Sequence, residues 1–209
     1  MIVLGMILSY LLGSIPTAYL FGKGLKGIDI REHGSGNVGA TNVFRVLGKG
    51  PGFAVLFIDI LKGVLAVAVV ADILGLTSVL SRMILAICVV SGHNWTIFLK
   101  FKGGKGIATS LGVLIGLTIR IAAIRPVLFI TLIIWTSSFL LSGIVSLSSI
   151  LAAVFLPIVM VLTSQSLGIV SLGVIFCAFV VFRHRPNIKR LLSGKEPRVI
   201  LPYFRNKSS

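Results

Sequence analysis

The sequence predicts an all-α polytopic membrane protein with about seven transmembrane helices, its N-terminus outside and its C-terminus in the cytoplasm. Three observations carry that prediction. Of 209 residues, 56% are hydrophobic and only 12% charged, against about 25% charged in an ordinary globular domain. The mean hydropathy of +1.07 excludes a soluble single-domain protein. The apolar residues also come in runs that approach the roughly 20 needed to cross a bilayer as a helix, and the basic residues sit between those runs.

Residues 2–21 form the first run. It lacks a basic n-region and is longer than a signal-peptide core, and its first positive charges, Lys23 and Lys26, follow it, so it reads as a retained helix. Further runs cover 53–74, 83–98, 107–123, 127–141, 145–163 and 168–182. Several are short, so these helices tilt, thin the bilayer or stop at an embedded site. Five or six spans remain open, and seven is the preferred count. With the N-terminus outside, the segments 22–50 and 99–106, a short turn near Ser142 and the tail after Phe182 are expected to be cytoplasmic, and they hold sixteen of the twenty Lys and Arg. Arg82, Arg120 and Arg125 fall outside and Lys62 lies within a span, which agrees with the positive-inside rule. Residues 1–198 read as a single integral-membrane domain and 199–209 as a cytoplasmic tail. No internal repeat or low-complexity linker is visible.

Twenty basic residues against five acids give a net charge of +15 and a pI near 10.8. In a soluble chain that would suggest nucleic acid. Between apolar runs it points instead to anionic membrane lipids and phosphorylated ligands, with no nucleic-acid partner. Cys88 and Cys177 lie in apolar runs and form no motif. The isolated histidines His33, His93 and His184, in a chain poor in acids, predict no metal site, and no cofactor is expected.

Three polar, glycine-rich patches fall on the cytoplasmic side, where polar groups that abut spans mark function. The first is His33-Gly-Ser-Gly-Asn-Val-Gly-Ala-Thr-Asn42, followed by Arg45. Gly34, Gly36 and Gly39 match G-x-G-x-x-G, but no buried strand precedes them and Asp59 lies in an apolar helix, so the dinucleotide reading fails. What survives is a loop whose backbone can approach a ligand, with Ser35, Asn37, Thr41 and Asn42 as hydrogen-bonders; a glycine-rich turn capping a helix is an equal alternative. The second runs from Gly92-His-Asn-Trp to Phe101-Lys-Gly-Gly-Lys-Gly106 and into a helix. Gly103, Gly104, Lys105 and Gly106 at a helix N-terminus offer amides, a favourable dipole and a cation, which suits a phosphate. The spacing is not that of a Walker A loop, since Ile107 and Ala108 stand where Lys-Ser/Thr is needed. The third is Arg183-His-Arg-Pro-Asn-Ile-Lys-Arg190. Basic anchoring explains much of it, but not His184 or Asn187. Val145-Ser-Leu-Ser-Ser149 adds hydroxyls near the same face.

Asp59 and Lys62, three residues apart on one helix, are expected to form a structural ion pair. No Ser-His-Asp arrangement is defensible, so an enzyme here works by positioning and charge stabilisation. A small transporter of organic phosphate or anionic lipid is the rival, weakened because polar residues cluster on one face and not at the midplane. An intramembrane protease lacks a Ser–His pair within the spans.

At Ser35-Gly-Asn-Val-Gly-Ala-Thr-Asn42, Phe101-Lys-Gly-Gly-Lys-Gly-Ile-Ala-Thr109 and Arg183-His-Arg-Pro-Asn187, together with Asp59-x-x-Lys62-Gly63 and Val145-Ser-Leu-Ser, the chain resembles the bacterial acyl-phosphate:glycerol-3-phosphate acyltransferases, the PlsY family. The resemblance covers nearly the whole chain. It implies a multi-pass enzyme of the bacterial cytoplasmic membrane, with its site facing the cytoplasm. Such an enzyme transfers a fatty acyl group from acyl phosphate to the 1-hydroxyl of glycerol 3-phosphate, without a covalent acyl-enzyme. By the family's pattern, Thr41, Asn42, Gly103, Gly104, Lys105 and Gly106 seat the acyl phosphate. Ser35, Asn37, Arg45, Lys105, Ser146, His184 and Asn187 serve glycerol 3-phosphate, with Lys105, His184, Ser35 and Asn37 closest to the chemistry. The resemblance also allows a soluble acyl-phosphate-producing enzyme as partner. The proton goes to His184 or to the donor's own phosphate; the second is preferred because the sequence shows no carboxylate to orient a histidine.

Overall fold

The computed structural model describes residues 1–199. The expected tail, 199–209, lies outside them apart from Val199. Among the described residues there are helices and turns and no strand, and all seven apolar runs are helical.

The first run is broken in two. Helix α1 (Ile2–Ser14) and helix α2 (Thr17–Lys26) flank Ile15–Pro16, because Pro16 has no N–H to continue the ladder. A short helix, α3 (Ala40–Val46), follows the first glycine-rich patch. Helix α4 (Lys49–Val64) passes through a π-helical turn (Leu65–Val70) into a last turn, α5 (Ala71–Ile73). The π turn loosens the backbone ladder, and Arg82 donates to the Val67 carbonyl at 2.6 Å. The other end of the same guanidinium donates to Asp72 at 2.6 Å. Arg82, expected in an outer loop, is therefore buried within the fold. It belongs to α6 (Val79–Asn94), whose start is capped by the Ser78 hydroxyl accepting from Ser81 N at 3.1 Å. Then come α7 (Ile107–Arg120), α8 (Arg125–Ser142), α9 (Val145–Leu162), α10 (Leu167–Arg183) and α11 (Arg185–Leu192).

Five stretches are long and apolar enough to cross a membrane: Ile2–Lys26, Lys49–Ile73, Val79–Leu99, Ala122–Ser142 and Val145–Leu162. A sixth results if α10 and α11, bent by 63°, count as one. Helix α7, with 14 residues, reaches only about 21 Å at ~1.5 Å per residue.

The chain divides into two compact units, Met1–Ile124 and the part from Arg125 onward. In the first, α1 packs on α6 and α4 on α7, with backbones close enough that only glycine fits between them. A Cβ at Gly112 would strike Ile60 O, one at Gly63 would strike Thr109 O, and one at Gly13 would strike Val89 O. Small residues at helix interfaces are how membrane helices gain packing without a hydrophobic driving force. Gly112→Val is expected to cost at least the ~1–3 kcal/mol of core overpacking, seen as a lower melting temperature in detergent. Gly24→Ala, where a Cβ meets nothing within 4 Å, is the control and should melt like the parent. In the second unit, α9 packs against both α8 and α10.

Candidate active site

The first glycine-rich patch folds around one amide. Asn42 is fully buried; its Oδ1 accepts from Ser35 N at 2.8 Å, while its Nδ2 donates to Ile30 O at 3.1 Å and His33 O at 3.0 Å. Gly34 has φ +61°, and a Cβ there would strike Asn42 Oδ1, so both backbone and space demand glycine. The amide of Asn42 is thus engaged with the loop's own backbone and holds its shape. Ile30, Val38 and Val43 anchor the loop in an apolar cluster with Ala18, Val55 and Leu99. At its start Asp29 caps the turn; hydrogen bonding to the Arg31 guanidinium holds its carboxyl down to about 2. Ser35 and Arg45 are exposed and Asn37 and Thr41 half-buried, so these side chains line the accessible rim.

The second patch rests on that loop. Gly103 N donates to Asn94 O at 3.2 Å and Gly104 N to His93 O at 3.0 Å. A Cβ at Gly104 would strike His93 Nε2 and come within 2.9 Å of Val38 O, so the two patches meet backbone to ring and backbone. The approach is made by Lys100 and Phe101, both left-handed at φ 53° and 61°, a conformation that costs non-glycine residues energy and clusters at functional sites. Gly106 then caps α7 at φ 77°. The first amides of α7 have no acceptor within the helix, and Lys105, half-buried, precedes them. Beneath this turn Asn94 and Thr109 are fully buried, and both amide atoms of Asn94 and the hydroxyls of Thr109 and Ser110 lack a hydrogen-bond partner. Buried polar groups are normally satisfied, so this concentration marks a place suited to a polar ligand. Sequence reasoning did not single out these three as site residues, although they lie within or beside the second patch. An apolar hollow of about 320 Å³ is lined by Ile15, Pro16, Tyr19, Leu20, Phe98 and Leu99, and it shares Ile15 and Pro16 with a small cleft lined by Gly103 and Gly104.

Asp59 and Lys62 are both buried and 2.7 Å apart. Lys62 also donates to Ile15 O at 2.6 Å and to Thr17 Oγ1, and the Thr17 hydroxyl donates to Asp59 at 3.0 Å. The pair thereby satisfies the backbone at the α1–α2 break, and His93 Nδ1 stands 3.9 Å from the same carboxylate.

In the second unit Ser146, His184 and Asn187 are all buried. His184 Nδ1 donates to Val180 O at 2.8 Å. A carbonyl can only accept, so this bond sets the tautomer and leaves Nε2 as the acceptor of the neutral ring. The orienting group that the sequence did not reveal is this carbonyl. A carboxylate also lies in the patch, contrary to expectation: Glu196 accepts from Ser146 Oγ at 2.7 Å and from Asn187 Nδ2 at 2.6 Å. Among the described residues no group of three or more metal-ligating side chains is found.

A family profile described as Glycerol-3-phosphate acyltransferase matches residues 3–194. The Glycerol-3-phosphate acyltransferase of Synechocystis sp. is 46% identical over 203 residues, covering 93% of this chain and 89% of its own. That of Thermosynechococcus vestitus is 44% identical over 208 residues, covering 95% and 96%. The fold is similar to crystal structures of PlsY, an integral membrane glycerol 3-phosphate acyltransferase. Its glycerol 3-phosphate form superposes with a TM-score of 0.85 at 37% identity, over 95% of this chain and 96% of that one. Its lysophosphatidic acid form gives 0.81 at 36%, over 95% of each. With apolar helices long enough to cross a bilayer and two glycine-rich patches meeting at one end of α7, the chain belongs to the glycerol-3-phosphate acyltransferase family and is an integral membrane acyltransferase.

Proposed function

We propose that the protein transfers a fatty acyl group from acyl phosphate to the 1-hydroxyl of glycerol 3-phosphate, releasing lysophosphatidic acid and inorganic phosphate. Residues 1–198 act as a single domain of the bacterial cytoplasmic membrane, with the site on the cytoplasmic side. The observation that carries this reading is the N-terminus of α7. There, free helical amides, Lys105 and the unsatisfied side chains of Asn94 and Thr109 lie together, and the glycines before it, Gly103 and Gly104, line a small cleft with Ile15 and Pro16, which also line an apolar hollow. A helix N-terminus with a cation suits a phosphate, and the hollow suits an acyl chain. One ligand with both parts is an acyl phosphate. The relative solved in glycerol 3-phosphate and lysophosphatidic acid forms supports the acceptor.

An acyl phosphate is a mixed anhydride and needs no protein nucleophile. The acceptor's hydroxyl oxygen bonds to the carbonyl carbon, and the carbon–oxygen bond to phosphate breaks with its electron pair on the phosphate. The hydroxyl proton passes to a phosphate oxygen. Gly103 to Gly106 with Thr41 seat the donor, Asn42 holding the loop that carries Thr41. Ser35, Asn37, Arg45, Ser146, His184 and Asn187 serve the acceptor, and Lys105 offsets the developing negative charge.

The test is turnover by detergent-purified protein with palmitoyl phosphate or palmitoyl-CoA as donor, following phosphate and lysophosphatidic acid. Turnover with the acyl phosphate alone is the expected outcome. Turnover with palmitoyl-CoA would overturn the donor assignment while leaving the acceptor intact. Absence of turnover with both donors, in folded protein, would favour glycerol 3-phosphate transport, measured by uptake into proteoliposomes.

A further inference from the structure

From the end of α11 at Leu192 to Val199 the chain is exposed except at one residue. Glu196 alone turns inward, its side chain 5% exposed. Its Oε1 accepts from both the Ser146 hydroxyl (2.7 Å) and the Asn187 amide (2.6 Å), and its Oε2 accepts from Arg190 Nε at 2.7 Å. Val199 N donates to Gly143 O at 2.7 Å, a second tether just before α9. Burial acts to raise the Glu196 carboxyl, but the hydrogen bonds from Ser146, Asn187 and Arg190 outweigh it and hold the group below the usual range, so it is ionised at neutral pH.

We propose that Glu196 is a positioning residue, whose carboxylate sets the Ser146 hydroxyl and the Asn187 amide in the orientations that bind glycerol 3-phosphate. The proposal rests on the assignment of those two residues to the acceptor given above. An ionised carboxylate only accepts hydrogen bonds. The Ser146 proton and an Asn187 N–H must therefore point at it, which fixes where the Ser146 lone pairs and Asn187 Oδ1 face. Its neighbours on α9 behave differently. Ser148 and Ser149 donate to the carbonyls four residues back, Ile144 O at 3.0 Å and Val145 O at 2.8 Å, the usual fate of a helical serine. For Ser146, in the first turn of α9, the residue four back is Ser142 at the end of α8, across the break between the two helices, and its hydroxyl donates to Glu196 instead. A fixed rotamer lowers the ordering cost of binding a small ligand. Two sequence-distant side chains held by one carboxylate are oriented as a unit.

The experiment measures glycerol 3-phosphate binding by calorimetry on full-length protein, together with KM for each substrate and melting temperature. The variants are Glu196→Gln, Glu196→Ala, Ser146→Ala and Asn187→Ala. Glu196→Ala is expected to weaken glycerol 3-phosphate about tenfold in Kd and to raise its KM in parallel, with KM for the acyl phosphate unchanged. Glu196→Gln, whose carbonyl still accepts both bonds, is expected to stay within about threefold of the parent. Tighter binding in either Glu196 variant would overturn the proposal, since the carboxylate would then be competing with the substrate's phosphate. So would a fall in melting temperature with both KM values unmoved, which marks a merely structural contact. Unchanged binding in Ser146→Ala and Asn187→Ala would instead remove the acceptor assignment beneath it.

Discussion

Lys105→Ala is expected to abolish turnover, a loss on the order of 10³-fold, the upper end of what removing one charge-stabilising donor costs. The side chain stands between Gly104, packed on His93, and Gly106, which caps α7. It is thus placed at the positive end of a helix dipole where an anion gains most, and water cannot supply an equally oriented cation. The matched control is Arg120→Ala. Arg120 lies at the opposite end of the same helix, is 48% exposed and pairs with Asp72, which keeps its bond to Arg82 at 2.6 Å. Exposed ion pairs contribute little to stability, so this variant should turn over near the parental rate. Release of phosphate and formation of lysophosphatidic acid report both. Equal losses at the two positions would show that the defect is misfolding.

The largest stability effect is expected at Asp59. Alanine there leaves the Lys62 ammonium buried and without its counter-ion, at a cost of about 3–5 kcal/mol, and it also removes the acceptor of the Thr17 hydroxyl. Detergent-solubilised Asp59→Ala should melt well below the parent or fail to elute as a folded species. The double variant Asp59→Ala, Lys62→Leu replaces the pair by apolar volume and should recover much of the loss. A double variant no more stable than the single one would show that the break between α1 and α2 depends on Lys62 bonding Ile15 O, and not on the balance of charge.

Much of the architecture was legible because a bilayer constrains it locally. Each apolar run is a helix because lipid leaves a backbone no other way to satisfy its polar groups. What escaped was where those helices stop being regular. Residues 2–21 read as one continuous helix, and the break at Ile15–Pro16 was hidden by the hydrophobicity of the run. The π turn at Leu65–Val70 has no marker in its all-apolar sequence, and the bond that reaches it, from Arg82 to Val67 O, comes from another helix. The close approach of α4 and α7 at Gly112 went unread, because the carbonyl that demands glycine there, Ile60 O, belongs to another helix.

For the site, glycines, a lysine and the start of α7 lie adjacent in the chain, so spacing alone points to a phosphate. Asn94, Thr109 and Ser110 were harder, because an uncapped buried amide or hydroxyl is defined by neighbours it lacks. Glu196 was hardest. It stands 50 residues from Ser146, alone in a polar tail with no periodic pattern, and only the folded chain turns it inward.

The sequence by itself determined the membrane setting, the helical class and the position of the two glycine-rich patches, since each depends on short-range composition, hydropathy and turn residues. The tertiary structure alone decided that Gly104 rests on Val38 and His93, that Lys62 serves the α1–α2 break, and that Glu196 holds Ser146 and Asn187. Hydrogen bonds act over about 3 Å in space and place no constraint on separation along the chain, so such pairings leave no local trace.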